Sequence, residues 1–253
     1  MSERLAELQE IRGVVAGNPK DTPLQTRKRF WKLVRQVKRS PKPDEDEIVL
    51  ASEIRDMLFE AQRGRTYPTL TVVTMLSIVA VFPFVWYVRL LGIPLDWANM
   101  LAWSSSDWWL FTRRLLDVLL LVFLLYPFGR LIAGRWLGIK IEGFCRGMYN
   151  EPALKMNYES FLRLHVPRRK WFFFLGGAWT VITALALGVI GLLISGDWTG
   201  ILVALFLGGS EGAAIVSGTT KKIGGEMAHF NRERKIERRW RRNLASNTES
   251  ERD

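Results

Sequence analysis

The chain has 253 residues, 48% of them hydrophobic, and its 36 lysines and arginines against 25 acidic residues give a formal net charge of +11. The mean hydropathy of +0.04 averages long uncharged apolar runs with dense basic segments, which excludes an ordinary soluble domain. The 11 Trp and 14 Phe exclude a disordered chain, and the single cysteine, Cys145, excludes an intramolecular disulfide. We therefore expect an all-α integral membrane protein, a bundle of about four transmembrane helices with a cytoplasmic N-terminal helical region.

Residues 1–65 are predicted to form this basic cytoplasmic region from three short helices. The second helix follows Pro23, since proline at a first helical position loses no useful N–H group. Its lysines and arginines surround Phe30, Trp31 and Val34, a pattern typical of a helix on an anionic membrane surface. No signal peptide is predicted, because the first 60 residues are polar.

The third predicted helix begins with acidic residues at 44–47, which suit the positive end of a helix dipole. One of its faces is apolar and carries Leu50, Ile54, Met57, Leu58 and Ala61. Such a face must be buried. We expect either a helical hairpin packed beneath the membrane helices or a docking surface for another protein.

Four segments are long and apolar enough to cross a bilayer, which takes about 20 residues. The predicted spans are residues 66–88, 115–132, 171–196 and 198–220, which together define a membrane domain over residues 66–220. The second span is the weakest, because Arg130 and Arg135 interrupt its inner end. We expect that end to emerge as an amphipathic continuation of the helix.

The placement of lysine and arginine predicts the orientation of the spans. Fourteen of these residues lie in residues 1–65, two in 92–114, nine in 130–170 and ten after residue 220, with none at the turn containing Asp197. Both termini are therefore predicted to be cytoplasmic in a multi-pass cell-membrane protein. Since nearly all the excess charge flanks the spans on one side, we attribute it to topology and to anionic lipid headgroups, and expect no nucleic-acid partner.

Two segments outside the spans have a distinctive composition. The predicted external loop, residues 92–114, contains four tryptophans, Trp97, Trp103, Trp108 and Trp109. They indicate an aromatic belt at the membrane interface, with a ligand cage as the alternative. Residues 221–253 are expected to form a basic cytoplasmic helix to about Arg242 and a disordered tail from Ser246.

Three motifs of known catalytic chemistry are missing from the sequence, namely H-E-x-x-H, the P-loop and G-x-G-x-x-G. His165 and His229 both lie in predicted cytoplasmic segments, where we expect surface histidines. The residues therefore predict no catalytic group, no metal and no cofactor.

Glu211 is the ionisable residue that stands out, as the fourteenth residue of the last predicted span. Charges inside a membrane are costly and usually face a partner or a cavity. Gly208 and Gly212 form a face of small residues that lets another helix approach closely. At about 1.5 Å per residue, Glu211 and Arg130 lie at matching depths, so we expect a buried ion pair, with Arg135 as the other candidate partner. A proton- or ion-handling carboxylate is the alternative.

The segment from Leu124 to Ile141 resembles the signature region of site-2-protease-type intramembrane metalloproteases, where an apolar run leads into H-E-x-G-H. The frame matches at Gly129, Ala133 and Gly138, and in the Ile-Lys-Ile exit that follows. Residues 139–144 and 153–158 are expected to pair as a short cytoplasmic β-hairpin, as strands do in that family.

The residues that carry the family's chemistry are replaced in this chain. Tyr126 stands in place of the first zinc-binding His, Pro127 in place of the catalytic Glu, and Arg130 in place of the second His. The stretch 175–181 is similar to the family's A-G-P-x-A-N, without its Pro and Asn, and Glu211 is the positional counterpart of the third ligand, an Asp. The resemblance covers roughly residues 115–215 and implies a catalytically inactive relative without zinc.

Three functional hypotheses follow from these observations. The first is a non-catalytic multi-pass membrane protein, an inactive site-2-protease-like fold that binds or scaffolds membrane-protein partners. The second is a small transporter or channel subunit that uses Glu211 as its ion or proton site. The third is a lipid-facing enzyme, for which the acids near the membrane are Glu211, Asp107, Asp117 and Asp197, although no paired constellation can be read from their spacing.

Overall fold

The computed structural model describes residues 2–63, 65–146, 152–221 and 225–250. Within these ranges the chain is mainly helical, with one short 3₁₀ helix (Trp97–Ala102) and one two-stranded sheet. The α-helices are α1 (Glu3–Gly17), α2 (Leu24–Arg39), α3 (Glu45–Arg63), α4 (Thr69–Leu91), α5 (Ser105–Leu137), α6 (Tyr158–Arg163), α7 (Val166–Ser195), α8 (Thr199–Val216) and α9 (Gly225–Ser250). The strands are β1 (Ile141–Arg146) and β2 (Pro152–Met156).

Four of these helices, α4, α5, α7 and α8, are long and apolar enough to cross a membrane, which confirms the predicted number of long apolar helices. Their bounds differ most for α5, which begins at Ser105 rather than at residue 115. Ser104 and Asp107 explain this early start. The Ser104 N–H group donates to the Asp107 carboxylate at 2.9 Å, and the Asp107 N–H group donates to the Ser104 hydroxyl at 3.3 Å, a reciprocal helix cap.

The chain divides into two compact units. The first comprises residues 1–69, 134–172 and 229–253, and we call it the polar unit. The second comprises residues 70–133 and 173–228 and is called the apolar unit. The polar unit thus brings together three stretches that are far apart in the sequence.

The core of the apolar unit is built from side chains of α4, α5, α7 and α8, among them Tyr87, Val118, Leu121, Ala184, Leu187 and Val203. Glycines bring α7 and α8 into backbone contact. A Cβ atom at Gly188 would lie 2.6 Å from the backbone nitrogen of Ile201, and one at Gly200 would lie 2.4 Å from that of Gly188. Real Cβ atoms do not approach so closely, so this helix crossing requires glycine at both positions.

The polar unit contains the three predicted N-terminal helices. The apolar face of α3 is buried, with Ile48, Ala51, Ile54 and Leu58 shielded from solvent, and α3 contacts α1 and α6. Leu50, Met57 and Ala61, also predicted on this face, are half-buried. Part of the predicted face of α3 therefore packs within its own unit through Ile54 and Leu58, and the rest of the face stays half-buried.

The amphipathic helix α2 is only partly arranged as the sequence predicted. Phe30 and Val34 are buried inside the polar unit, whereas Trp31 and Leu24 are exposed. Phe30 and Val34 pack against neighbouring helices, because burying their apolar surface away from water is favourable. Any contact of α2 with lipid would therefore use Trp31 and Leu24, together with the surrounding basic residues.

The predicted β-hairpin is present, with its strands displaced by about two residues along β1. Ile141 pairs with Met156 and Phe144 pairs with Leu154 in antiparallel register. An irregularity falls at Gly143, where a φ of +158° and a close approach to the backbone oxygen of Tyr67 leave no room for a Cβ atom. Tyr67 and Phe144 exchange two backbone hydrogen bonds and extend the hairpin by one bridge.

The predicted external loop forms a small aromatic cluster. Trp97, Trp103, Trp108 and Phe111 pack against one another with ring centroids 5.0 to 6.0 Å apart, mostly edge to face. Trp108 within the cluster and Trp109 outside it are both exposed. Three of the four tryptophans therefore pack together, and two of the four present an outward surface.

The C-terminal helix is longer than predicted, since α9 continues to Ser250. The disordered tail expected from Ser246 is therefore wrong as far as Ser250, and residues 251–253 lie outside the described part of the chain.

Candidate functional site

A polar position among the long apolar helices lies on α5, at Tyr126 and Arg130. Tyr126 and Arg130 are four residues apart and therefore share one face of this helix. The Arg130 guanidinium lies over the Tyr126 ring, 5.9 Å from its centroid. Pro127 lies between them and α5 continues through it, although its missing N–H group removes one backbone hydrogen bond.

Glu226, in the first turn of α9, is the acid that meets these two side chains. Its Oε1 atom accepts a short hydrogen bond from the Tyr126 hydroxyl and forms a close ion pair with Arg130 Nη2. The Glu226 side chain is only 6% exposed, and its Oε2 atom is buried with no hydrogen-bond donor among the described residues. Tyr126, Arg130 and Glu226 are called the polar triad below.

Two glycines of α7 make room for the triad. A Cβ atom at Gly176 would lie 3.2 Å from Arg130 Cγ and 3.5 Å from Glu226 Cδ, tight enough that the neighbours would have to move. A Cβ atom at Gly177 would lie 2.4 Å from Met227 Cε and 3.3 Å from Glu211 Oε1. The pair of glycines therefore brings the carboxyl groups of Glu226 and Glu211 to neighbouring positions along α7.

The predicted ion pair between Glu211 and Arg130 is wrong, because Arg130 pairs with Glu226 and no ion pair within 4.0 Å joins it to Glu211. The prediction matched depths by counting residues along two spans, but α5 and α8 begin and end elsewhere than assumed. Depth also says nothing about which side of a helix a residue occupies. Glu211 is half-buried, and among the described residues no hydrogen bond or ion pair reaches its carboxyl group.

Arg135, the other predicted partner, is exposed and belongs to the polar unit. Sequence reasoning missed Glu226, which it placed in a cytoplasmic helix. A usable signal was nevertheless present, since the uncharged residues Met227 and Ala228 follow Glu226 ahead of the basic residues of α9. The structure buries both of them.

A second buried ion pair joins the ends of several helices in the apolar unit. Arg114 and Asp197 are both fully buried, and Arg114 Nη1 donates to Asp197 Oδ1 at 2.8 Å. Arg114 Nη2 also donates to the backbone oxygen of Leu90 at 2.6 Å and to that of Ile93. The Thr199 hydroxyl donates to the same Asp197 oxygen at 3.0 Å. Arg114 and Asp197 therefore fasten the end of α4 and the α7–α8 turn to the start of α5.

The remaining acids of the enzyme hypothesis have structural surroundings. Asp107 caps α5 through Ser104, as described above. Asp117 is buried and lies 3.9 Å from Arg113, one turn away on α5. Within the described ranges no three His, Cys, Asp or Glu side chains are grouped as a metal site would require. His165 and His229 are exposed.

An apolar groove opens on the apolar unit among α4, α5 and α7. Its volume is about 420 Å³, and its lining side chains include no ionisable group. Small residues form part of the lining, among them Ser77, Ala80 and Ala186. Trp179 also lines the groove, with its indole N–H group donating to the backbone oxygen of Leu125 at 3.0 Å.

The ring of Trp179 is held closely against α5. A Cβ atom at Gly129 would lie 2.3 Å from the Cβ atom of Trp179, so α5 and α7 can meet there only through glycine. Gly129 was one of the positions that carried the resemblance in the sequence. Its structural reason here is this helix contact.

Comparison with known proteins adds no relative, since no family model, no curated protein and no solved structure matches this chain.

Proposed function

We propose that the protein is a non-catalytic, multi-pass membrane protein that binds and scaffolds other membrane proteins. The observation that carries the proposal is the polar triad, in which Arg130 and the Tyr126 hydroxyl both contact one carboxylate oxygen of Glu226. A closed ion pair of this kind neutralises the polar groups between the helices and stabilises their arrangement.

The resemblance to site-2-protease-type enzymes supports the same proposal, with the chain as an inactive relative. Tyr126 and Arg130 stand at the two histidine positions of the family motif. A guanidinium has five N–H donors and no acceptor, so Arg130 cannot bind Zn²⁺, and its positive charge would repel the ion. The residues present therefore do not fit the zinc that active members of the family bind.

Metal analysis of the purified protein tests this part of the proposal. We expect no tightly bound zinc after purification without chelator. A stoichiometric zinc ion that survives dialysis would contradict both the inactive assignment and the correspondence of Tyr126 and Arg130 with the family's ligands.

The apolar groove is the surface where we propose that a membrane partner docks. Transmembrane helices associate through small residues that allow close approach, and Ser77, Ala80 and Ala186 provide such residues along the groove. The expected occupant is one apolar helix of another membrane protein. A polar or charged ligand is disfavoured, because no ionisable side chain lines the groove.

A photoreactive amino acid at Ile182, inside the groove, tests the docking proposal in native membranes. We expect adducts whose peptides map to a transmembrane segment of a partner protein, and we expect Ala186→Leu, which fills the groove, to abolish them. A photoreactive group at Leu205, an exposed residue of α8, is the matched control. Equal adducts at Leu205, or adducts that persist in Ala186→Leu, would contradict docking in the groove.

We propose the topology that the basic residues predict, with both termini cytoplasmic. Its support is the alternation of basic-rich and basic-poor segments between the four apolar helices. In a chain with Cys145→Ala, a cysteine at Ser104 should react with an impermeant reagent in intact cells, and a cysteine at Ser40 only after permeabilisation. The opposite pattern would reverse the orientation.

Transport through Glu211 is the second candidate function. Its supporting observation is that Glu211 is half-buried beside Glu226 at the α7 glycines, with no hydrogen bond or ion pair reaching it from the described residues. Proton flux into proteoliposomes, lost in Glu211→Gln and retained in Glu159→Gln, would favour transport over scaffolding. Absence of flux in the unmodified protein would exclude proton transport.

A further inference from the structure

A polar cavity of about 750 Å³ lies in the polar unit, lined by residues of α1, of α2 with the turn that follows it, and of α9. Its cationic lining residues are Arg4, Lys32 and Arg39, and Gln36 and Asn243 add amide groups. The cavity is separate from the polar triad and from the apolar groove, which belong to the apolar unit. No part of the proposed function uses it.

Arg39 is the side chain that makes this cavity unusual. Its Nε atom is buried and has no hydrogen-bond acceptor among the described residues. The neighbouring residue Lys38 is also buried, but it pairs with Glu233 at 2.5 Å. The fold therefore supplies a carboxylate for Lys38 and none, within the described ranges, for Arg39.

Further positive charge surrounds Arg39. Burial lowers the pKa of Arg39, and the nearby guanidinium groups of Arg239 and Arg35 lower it further by repulsion. No ion pair within the described part of the chain neutralises any of the three. Three like charges held together in this way repel one another, and a bound anion would relieve that repulsion.

Two acids also line the cavity, and neither neutralises Arg39. Glu7 is paired with Arg29 at 3.0 Å, while Arg4 is paired with Glu47 at 3.1 Å. Glu3 lies in the first turn of α1, at the positive end of the helix dipole. The balance around Arg39 therefore remains positive.

We propose that this cavity binds a phosphate group, with Arg39 as its central ligand and Arg35, Arg239 and Lys32 as the surrounding charges. The planar guanidinium of Arg39 presents paired N–H donors that match two oxygens of one phosphate. A phosphate group carries up to two negative charges, so it neutralises several arginines better than a single carboxylate would. A cavity of about 750 Å³ is much larger than one phosphate, so the phosphate is expected to carry a further group, either a soluble metabolite or a lipid headgroup.

The test uses the full-length protein in an uncharged detergent at low ionic strength, because salt screens such contacts over about 10 Å at 0.1 M. In one arm the protein is titrated with inorganic phosphate, and in the other with a short-chain phosphatidic acid, with thermal unfolding and calorimetry as readouts. The variants are Arg39→Gln, Arg39→Lys and the control Arg238→Gln, which removes an exposed charge from the same region of α9.

We expect Arg39→Gln to weaken phosphate binding about tenfold, which corresponds to ~1.4 kcal/mol, and Arg238→Gln to leave it nearly unchanged. Arg39→Lys should fall between them, since it keeps the charge and loses the paired donors. Without phosphate, Arg39→Gln should be at least as stable as the unmodified protein because repulsion is relieved, which separates loss of the site from misfolding.

Each outcome decides the proposal. Binding of inorganic phosphate that depends on Arg39 supports a soluble ligand, and binding of phosphatidic acid alone supports a lipid headgroup. Absence of binding in both arms overturns the proposal. An equal loss in Arg238→Gln also overturns it, because binding would then reflect general charge attraction.

Discussion

Breaking the ion pair of the polar triad should destabilise the protein strongly, and this can be measured with a double-mutant cycle. Glu226→Gln removes the carboxylate that pairs with Arg130, and Arg130→Met removes the guanidinium that pairs with Glu226. The double variant contains neither charge. We expect the double variant to lose less stability than the sum of the losses in the two single variants, because the effects of the two changes are not additive.

The magnitude follows from the burial of the pair. The Glu226 side chain is 6% exposed and that of Arg130 is 20% exposed, so the pair is largely but not completely shielded from water. Removing one partner of a buried pair costs about 3–5 kcal/mol, and we expect a value near 3 kcal/mol because Arg130 keeps some exposure. For a chain of this size, that is a fall of roughly 6–12 °C in the unfolding temperature.

Thermal unfolding in detergent is the assay, with intrinsic tryptophan fluorescence as the signal. Glu211→Gln combined with Arg130→Met is the matched control, because Glu211 is the nearby carboxylate that does not pair with Arg130. The coupling energy should be above about 1 kcal/mol for Glu226 and within about 0.5 kcal/mol of zero for Glu211. A larger coupling with Glu211 would refute the assignment of the pair and would favour the transport hypothesis.

Three further predictions concern other parts of the structure. Asp197→Asn should lower stability by about 3–5 kcal/mol, because it leaves the fully buried Arg114 without its counter-charge, whereas Asp96→Asn in the exposed loop should have a small effect on thermal unfolding. Gly188→Ala should destabilise the protein by about 1–3 kcal/mol, since its Cβ atom would meet the backbone of α8. The control Gly209→Ala should cause no loss of stability, because nothing lies within 4 Å of a Cβ atom there. Equal effects of the two substitutions would contradict the helix crossing. Burial alone would raise the pKa of Glu237, but hydrogen bonds from Lys170 and Arg241 hold it below its ordinary value of 4.5. The stabilisation that Glu237 provides is therefore complete above pH 4.5 and is lost as the pH falls through the lowered pKa of this group in the folded protein. The unfolding temperature of Glu237→Gln should therefore depend less on pH in that acidic range than the unfolding temperature of the unmodified protein.

The sequence by itself determined the number of long apolar helices and the position of most helices outside them. Uncharged runs of about 20 residues have few alternatives to a membrane-spanning helix, because every backbone polar group must be satisfied internally in lipid. The hairpin could also be predicted, because residues 139–144 and 153–158 are short segments on either side of a turn-forming stretch and resemble the paired strands of the site-2-protease family. These are local properties of a few consecutive residues.

The partners of the charged residues were decided by the tertiary structure. The sequence paired Arg130 with Glu211, whereas the structure pairs it with Glu226, from a helix that the sequence assigned to a separate cytoplasmic region. Arg114 and Asp197 looked like the ends of two spans and proved to be a fully buried pair. Hydropathy and residue counting give the depth of a side chain along its helix. The rotation of that helix and the choice of neighbour follow from which glycines, at Gly129, Gly176 and Gly188, allow two backbones to approach, and that depends on contacts between residues far apart in the chain.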